Sequence, residues 1–499
     1  MTDLMMGLAA AATDPTLLML SFIGVMLGLV FGALPGISST MALAVLLPFT
    51  YGMETPAAMM LMLGVFFASV YAGSISAILL RIPGTPGAMI TLIDGNAMAK
   101  QGRAGEAMAF ALVASLFGGV IGWIIMVTLA PVIATYALRF GSPEYAAVVF
   151  FGLVLVAYAS SGDTLRGLAA GAIGLLIGVV GRDRITDVPR FTFGTAELQA
   201  GIDFIPLVIG IFGIAEVLSL LARRRADAVA GVPTMGQRSW PGWRALVPEI
   251  PTALRSSGIG AFVGAIPAAG SAVAVALAYS IEKRLSKHPQ RFGTGTPKGV
   301  VAPEAANNAC VGGSLIPMMT LGIPGDSITA VLIAVLLLHG LRPGPGLFES
   351  QPELIVTIYA AIFIAIIFTG LLAATVGLPL FRRVLALPQR VLLTGVLLLC
   401  LLGAFAVRNS IFDVWLAVFF GGVGFVFMRL GIPVLPLAFG AILGPILEEN
   451  LRRTLLIHRD WMVFVERPIS LTLIIISFIV LLGPPLATML TRAAQRKTP

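Results

Sequence analysis

Charge is scarce in this 499-residue sequence: Asp, Glu, Lys and Arg make up only 11% of it and hydrophobic residues 58%. An ordinary soluble domain carries roughly 25% charged residues, so a water-facing surface cannot be assembled here and a soluble globular protein is excluded. Cysteine and histidine are almost absent, at two and three residues. Cys310 and Cys400 stand far apart in apolar surroundings, without CxxC or Cys/His spacing, so neither a disulfide nor a zinc site is expected. His288, His339 and His458 sit in or next to loops rather than beside an intramembrane Ser or Cys, which argues against an intramembrane enzyme. No GxxxxGK[ST], HExxH or GxSxG pattern occurs, which disfavours ATP-driven transport and hydrolysis. Two-residue hydrophobic alternation is missing too, so the spanning elements are not outer-membrane strands. The stretch Met1–Thr16 has Asp3 and Asp14 but no Lys or Arg; it reads as retained rather than as a cleaved leader, and as facing outward.

What is present is a succession of apolar runs, among them Ala107–Tyr136, Leu198–Leu221, Leu354–Leu378 and Ile469–Leu490. Each is near or above the ~20 residues that a bilayer helix needs, and about ten to twelve such segments can be counted. The expected fold is therefore an all-α polytopic membrane protein surrounded by lipid. The net charge of +8 gathers in short loops between the apolar runs. That distribution marks cytoplasmic loops, not a nucleic-acid surface.

The chain repeats itself. GLVFGALPGISSTMALA, from Gly28, aligns with GAFVGAIPAAGSAVAVA, from Gly260, at a constant offset of 232. Downstream, Gly73-Ser74 and Ile82-Pro83-Gly84 align with Gly313-Ser314 and Ile323-Pro324-Gly325 at offsets of 240 and 241. This gives a first membrane repeat over 1–222, a basic cytoplasmic linker over 223–255 containing Arg223, Arg224, Arg225, Arg238 and Arg244, and a second repeat with additional C-terminal helices over 256–499. Equivalent loops carry opposite charge bias. Tyr51–Thr55 has only Glu54, whereas Glu282–Lys298 has five cations; Lys100 and Arg103 correspond to Glu349 and Glu353, beside Arg342. The expectation is two inverted repeats with discontinuous helices and re-entrant segments. After Arg429 the stretch Gly431–Glu449 either spans or re-enters.

Helices should break at Pro35-Gly36, Pro83-Gly84, Pro267 and Pro324-Gly325, because proline has no amide donor and clashes with the preceding turn. Irregular backbone at membrane depth is tolerated only in protein or beside a polar cavity, so four symmetric breaks point to one shared site. Half-helix N-termini there suit an anion, and unwound carbonyls suit a cation. The candidate substrate-binding residues are Pro35, Gly36, Ser38, Ser39, Gly73, Ser74, Ser76, Arg81, Pro83, Gly84, Thr85, Pro267, Ser271, Gly313, Ser314, Pro324, Gly325 and Ser327. Candidate cation ligands are Asn307, Asn308, Thr320 and Asp326. Glu304 and the Asn307-Asn308 pair either cap a helix or coordinate a cation. Arg81 either meets a carboxylate or snorkels to the interface. Glu216, two turns before Arg223, reads as structural, and the Gly24, Gly28, Gly32 ridge as close helix packing.

In GLVFGALPGIS, YAGSISAILLRIPGTPGAMITLIDGNAMAKQGRAGEA, FGTGTPKGVVAPEAANNA and GGSLIPMMTLGIPGDSITAVLIAVLLLHGLRPGPGLF the sequence resembles the TctA family, the large membrane subunits of tripartite tricarboxylate transporters. With the hydropathy profile the resemblance covers essentially the whole chain. It implies a secondary transporter of the bacterial inner membrane, driven by a Na⁺ or H⁺ gradient, without a cofactor and not an enzyme. It also implies a small four-helix membrane subunit and a periplasmic solute-binding protein as partners, and a carboxylate as substrate. The sequence departs from the family pattern at Ala268, where a second Pro-Gly pair is common, at Ser38-Ser39 and at Arg81, so citrate itself is not implied.

Overall fold

The structure is a computed structural model that describes residues 2–159, 164–222, 241–375, 381 and 388–495. Arg223–Arg225 and Arg238 of the linker lie outside the described residues. The main helices of the first half are α1 (Thr2–Thr13), α2 (Pro15–Ala33), α3 (Ser39–Leu46), α4 (Thr55–Leu80), α5 (Thr91–Lys100), α6 (Ala104–Ala137), α7 (Ser142–Ala159), α8 (Thr164–Gly178) and α9 (Phe204–Ala222). After the linker come α10 (Ile250–Gly264), α11 (Gly270–Leu285), α12 (Lys298–Leu321), α13 (Ser327–Leu338), α14 (Pro352–Thr375), α15 (Gln389–Ala406), α16 (Ile411–Arg429), α17 (Leu435–His458) and α18 (Pro468–Gln495).

Among the described residues eight helices are long and apolar enough to cross a membrane, and five shorter apolar ones, including α3, α8 and α13, fall below that length. The chain is thus an all-α, multi-pass membrane protein. The stretch after Arg429 belongs to one of the eight, Val434–His458. Helix α12 is in neither group: Glu304, Asn307 and Asn308 make it too polar, yet it is buried almost throughout. With α4 it forms the centre of the molecule.

Small residues set the packing directions. Gly24, Gly28 and Gly32 rest on the backbone of Leu61, Val65 and Ser69, so α2 and α4 run parallel at close range. In the same way Gly260 and Gly264 rest on Ala306 and Cys310, so α10 and α12 are parallel. The short helices between them, α3 and α11, must therefore run back, and each break closes a helical hairpin. Helix α6 is parallel to α12, through Gly118 on Ala305 and Gly122 on Ala309. It is antiparallel to α14: Leu116 meets Gly370, Gly119 meets Ile366, and the Trp123 indole donates to the Tyr359 carbonyl at 2.8 Å.

The molecule has two polar ends. Helix α9 starts after Asp203 and ends beside the linker, 19 residues or about 28 Å later. It contains a π-helical turn at Ile209–Ile214, where Gly210 and Gly213 let α16 and Cys400 approach. Helix α10 begins at Ile250, inside the segment assigned to the linker, and the parallel α12 starts at Lys298 on that same linker face. On the opposite face Gly181–Arg182 pairs antiparallel with Pro189–Arg190, and a cavity of about 1280 Å³ opens between this ladder, the Gly340–Gly346 loop and the end of α17.

Candidate functional site

All four expected breaks are present, and they have matching conformations. Arg81 ends α4 in the left-handed region (φ 57), and Gly322 ends α12 in the same way (φ 70). In the first case the N–H groups of Arg81 and Ile82 reach the Ser76 carbonyl; in the second those of Gly322 and Ile323 reach the Pro317 carbonyl. Gly84 then folds onto Gly73, and Gly325 onto Ser314. Position 73 is therefore equivalent to 314 rather than to 313, and the second pair of breaks keeps a single offset of 241. The first pair also corresponds residue by residue: Gly36 (φ 84) and Ala268 (φ 62) both take the left-handed conformation, 232 positions apart.

The breaks touch one another in a closed cycle. Thr40 and Ser327 hydroxyls, beside the first and fourth breaks, are 2.7 Å apart. Ala268 N–H, in the third, donates to the Gly325 carbonyl of the fourth at 2.8 Å. A methyl group at Gly87, after the second break, would overlap Asn307 Oδ1 and Ser271 Oγ of the second half; one at Gly84 would overlap the Gly32 carbonyl of the first break. The Asn307 amide donates weakly to the Val70 carbonyl at 3.4 Å, tying α12 to α4.

The candidate residues differ in what is left over for a ligand. Ser74 donates to the Tyr71 carbonyl, Ser76 to Gly73, Ser314 to Val311 and Thr320 to Ile316, all within their own helices. Ser38 caps α3 by accepting from Met41 N–H and donates to Glu216 Oε2 at 2.7 Å. Asp326 caps α13 in a reciprocal box with Thr329. By contrast Ser39 Oγ, Thr85 Oγ1, Asn307 Oδ1 and both amide atoms of Asn308 are buried without a hydrogen-bond partner. Each such atom costs about 1–3 kcal/mol; Ser39, Thr85 and Asn307 stand at the cycle itself and Asn308 one residue further along α12, and together they leave unused hydrogen-bonding capacity. Helix α11 adds amides that no side chain caps, because its N-cap is Ala269. Pro35, Gly36, Pro83, Pro267 and Pro324 shape the backbone of the cycle, whereas Gly313 packs α12 on the Ala261 backbone of α10. Arg81 is exposed and pairs with no carboxylate among the described residues.

Some contributors, Asp94 among them, were not among the candidates; the sequence leaves Glu304 open between a helix cap and a cation ligand. Glu304 is fully buried and receives hydrogen bonds from Thr91 of α5 and from Ser115 of α6 at 3.0 Å, with no cation paired to it among the described residues. One turn on, it leads to Asn307-Asn308. On the linker face Asp94 is buried and accepts from Tyr279 Oη and from the N–H groups of Gly293, Gly295 and Thr296, at 2.9 to 3.0 Å. Gln101 and Arg103 add bonds to the Thr294 and Gly295 carbonyls. These contacts close the linker face beneath the cycle. The available signal was a carboxylate within an apolar stretch, at Asp94 and at Glu304.

At the opposite face the cavity reaches Leu321 and Gly322, the turn that leads into the fourth break. Its walls hold ion pairs of Arg190 and Arg452 with both Asp183 and Glu448. Asp183 also accepts from the Thr186 and Ile185 N–H groups at 2.8 Å; together with Arg452 they hold its carboxyl well below the usual range.

A family model described as "Tripartite tricarboxylate transporter TctA family" matches residues 18–439. Two curated proteins from Agrobacterium vitis are similar. An uncharacterized 52.8 kDa protein in the TAR-I ttuC' 3' region is 37% identical over 477 residues, 95% of this chain and 94% of that one. An uncharacterized protein in the TAR-II ttuC' 3' region is 39% identical over 219 residues, 43% of this chain and 89% of its own length. No solved structure matches. The extent of both the family match and the first relative shows that this chain belongs to the TctA family of tripartite tricarboxylate transporters.

Proposed function

We propose that the chain is the large transmembrane subunit of a cation-gradient-driven importer of organic carboxylates in a bacterial inner membrane, and that the cycle of four breaks holds the substrate. The observation that carries this reading is the meeting of the four breaks with Ser39 Oγ, Thr85 Oγ1 and Asn307 Oδ1 buried there without a partner, next to the unpartnered Asn308 amide on α12. Uncapped amides of α11 suit a carboxylate. Asn307, Asn308, Thr320, Asp326 and Glu304 offer oxygen ligands for Na⁺ or a site for H⁺. The antiparallel course of the equivalent helices α6 and α14 supports halves of inverted orientation, 1–222 and 256–499 about the linker. The linker face, with Lys283, Arg284, Lys287, Arg291 and Lys298, is then cytoplasmic. The opposite cavity faces the periplasm, where a solute-binding protein would deliver the anion, and a small four-helix subunit would cover part of the apolar perimeter.

The test is uptake into proteoliposomes holding both membrane subunits and supplied with the loaded binding protein. An imposed Na⁺ or proton gradient should drive uptake without ATP. A requirement for ATP, with indifference to both gradients, refutes the reading.

A further inference from the structure

Beside the large cavity lies a smaller pocket of about 300 Å³, walled by Arg184, Ile185, Arg342, Glu449, Arg453 and Leu456. The large cavity is lined by seven arginines and four carboxylates, with no lysine. Most of that charge is internally cancelled. Asp183 and Glu448 are taken by Arg190 and Arg452, and Asp203 by Arg408. The excess collects at the small pocket. There Glu449 is shared by Arg453 at 3.0 Å and Arg184 at 3.4 Å, while Arg342 pairs with no carboxylate among the described residues. Three guanidinium groups face one carboxylate.

We propose that this pocket is a separate binding site for a small di- or tricarboxylate, which it holds before the anion moves on to the cycle of breaks. Guanidinium forks bind carboxylates in two-point fashion, so three of them around one small volume select an anion with more than one carboxylate. The volume is at the lower end of the range for small-ligand pockets. The position is suitable as well. Arg342 stands on the Gly340–Gly346 loop, and the large cavity continues from this loop to Gly322 at the fourth break. Arginines on the face opposite the basic linker run against the charge bias expected of membrane loops, so a ligand accounts for them better than topology does. The onward role rests on the transport reading above; the anion site does not.

Leu456 is exposed in the pocket wall, and both native cysteines are buried, so Leu456→Cys reports on the pocket in the purified full chain. Its reaction with a sulfonate-bearing methanethiosulfonate should outpace that with a trimethylammonium analogue, relative to a free thiol, by on the order of tenfold. Citrate or succinate at constant ionic strength should slow the labelling, and an uncharged ester should not. Arg342→Gln, at an exposed and unpaired side chain, should reduce both the charge preference and the protection. No charge preference, no protection by either anion, or values unchanged by Arg342→Gln overturns the proposal. Asn308→Ala separates the two sites: it should retain protection at Leu456→Cys while impairing uptake. Protection with normal uptake in Asn308→Ala would leave the pocket standing and remove the substrate from the breaks.

Discussion

Ala268 donates its N–H to the Gly325 carbonyl at 2.8 Å from a left-handed backbone conformation, φ 62, that its counterpart Gly36 adopts without a side chain. The left-handed region costs a non-glycine residue roughly 1–2 kcal/mol, of which glycine's extra chain entropy offsets about half. Ala268→Gly should therefore stabilise the protein by about 0.5–1 kcal/mol and retain uptake, read by thermal melting in detergent. A lower melting temperature would show that the methyl group, not the backbone turn, is what the site requires.

Asp94 holds the linker face with one hydroxyl and three backbone donors. Tyr279→Phe removes one of these and should cost about 1 kcal/mol. Asp94→Asn keeps one acceptor oxygen but loses the charge and turns the other oxygen into a donor facing Tyr279 and Gly293, and should cost about 2–3 kcal/mol, with faster thiol labelling of a cysteine placed at Thr294. Equal stability of the two variants would contradict the clamp.

Asp183 titrates on the other face. Its folded pKa lies below the unfolded value, so the stability it contributes is present above the ordinary carboxylate range and is lost as pH falls through the folded pKa. Asp183→Asn should lower the melting temperature at neutral pH, and the gap to the wild type should narrow only under acid conditions below about pH 4. A gap that closed already between pH 7 and 5 would place the effect on another group.

The breaks were legible in the sequence because Pro35-Gly36, Pro83-Gly84, Pro267 and Pro324-Gly325 act locally, through a missing donor and a steric clash. Fold class was legible for a similar reason, since helix length and charge scarcity are local properties. Their meeting was suggested only by symmetry, and the register was read one residue off at Gly313, because what defines it is Gly325 folding onto Ser314. Asp94 was not singled out, and Glu304 was left open between capping and cation coordination, because their partners are distant in sequence: Tyr279 and Gly293 for one, Thr91 and Ser115 for the other. The cavity on the face opposite the linker was not legible at all, as its walls come from many separate stretches, among them those around Asp183, Asp203, Arg342, Arg408 and Glu448. Nor could sequence separate Ser74, whose hydroxyl is used within its helix, from Asn308, whose amide is unused.

That last distinction supplies the most direct measurement. Uptake of a radiolabelled carboxylate by correctly assembled Asn308→Ala and Ser74→Ala complexes should be compared for apparent substrate and Na⁺ affinity, with Ser21→Ala as a control about four turns from the break. If the cycle of breaks is the transport site, Asn308→Ala should weaken apparent affinity for substrate or cation by roughly ten- to hundred-fold, the equivalent of 1–3 kcal/mol. Ser74→Ala and Ser21→Ala should stay within a few-fold of wild type. Wild-type affinities in Asn308→Ala, with any loss confined to expression or melting temperature, would contradict the account and leave the breaks as packing kinks.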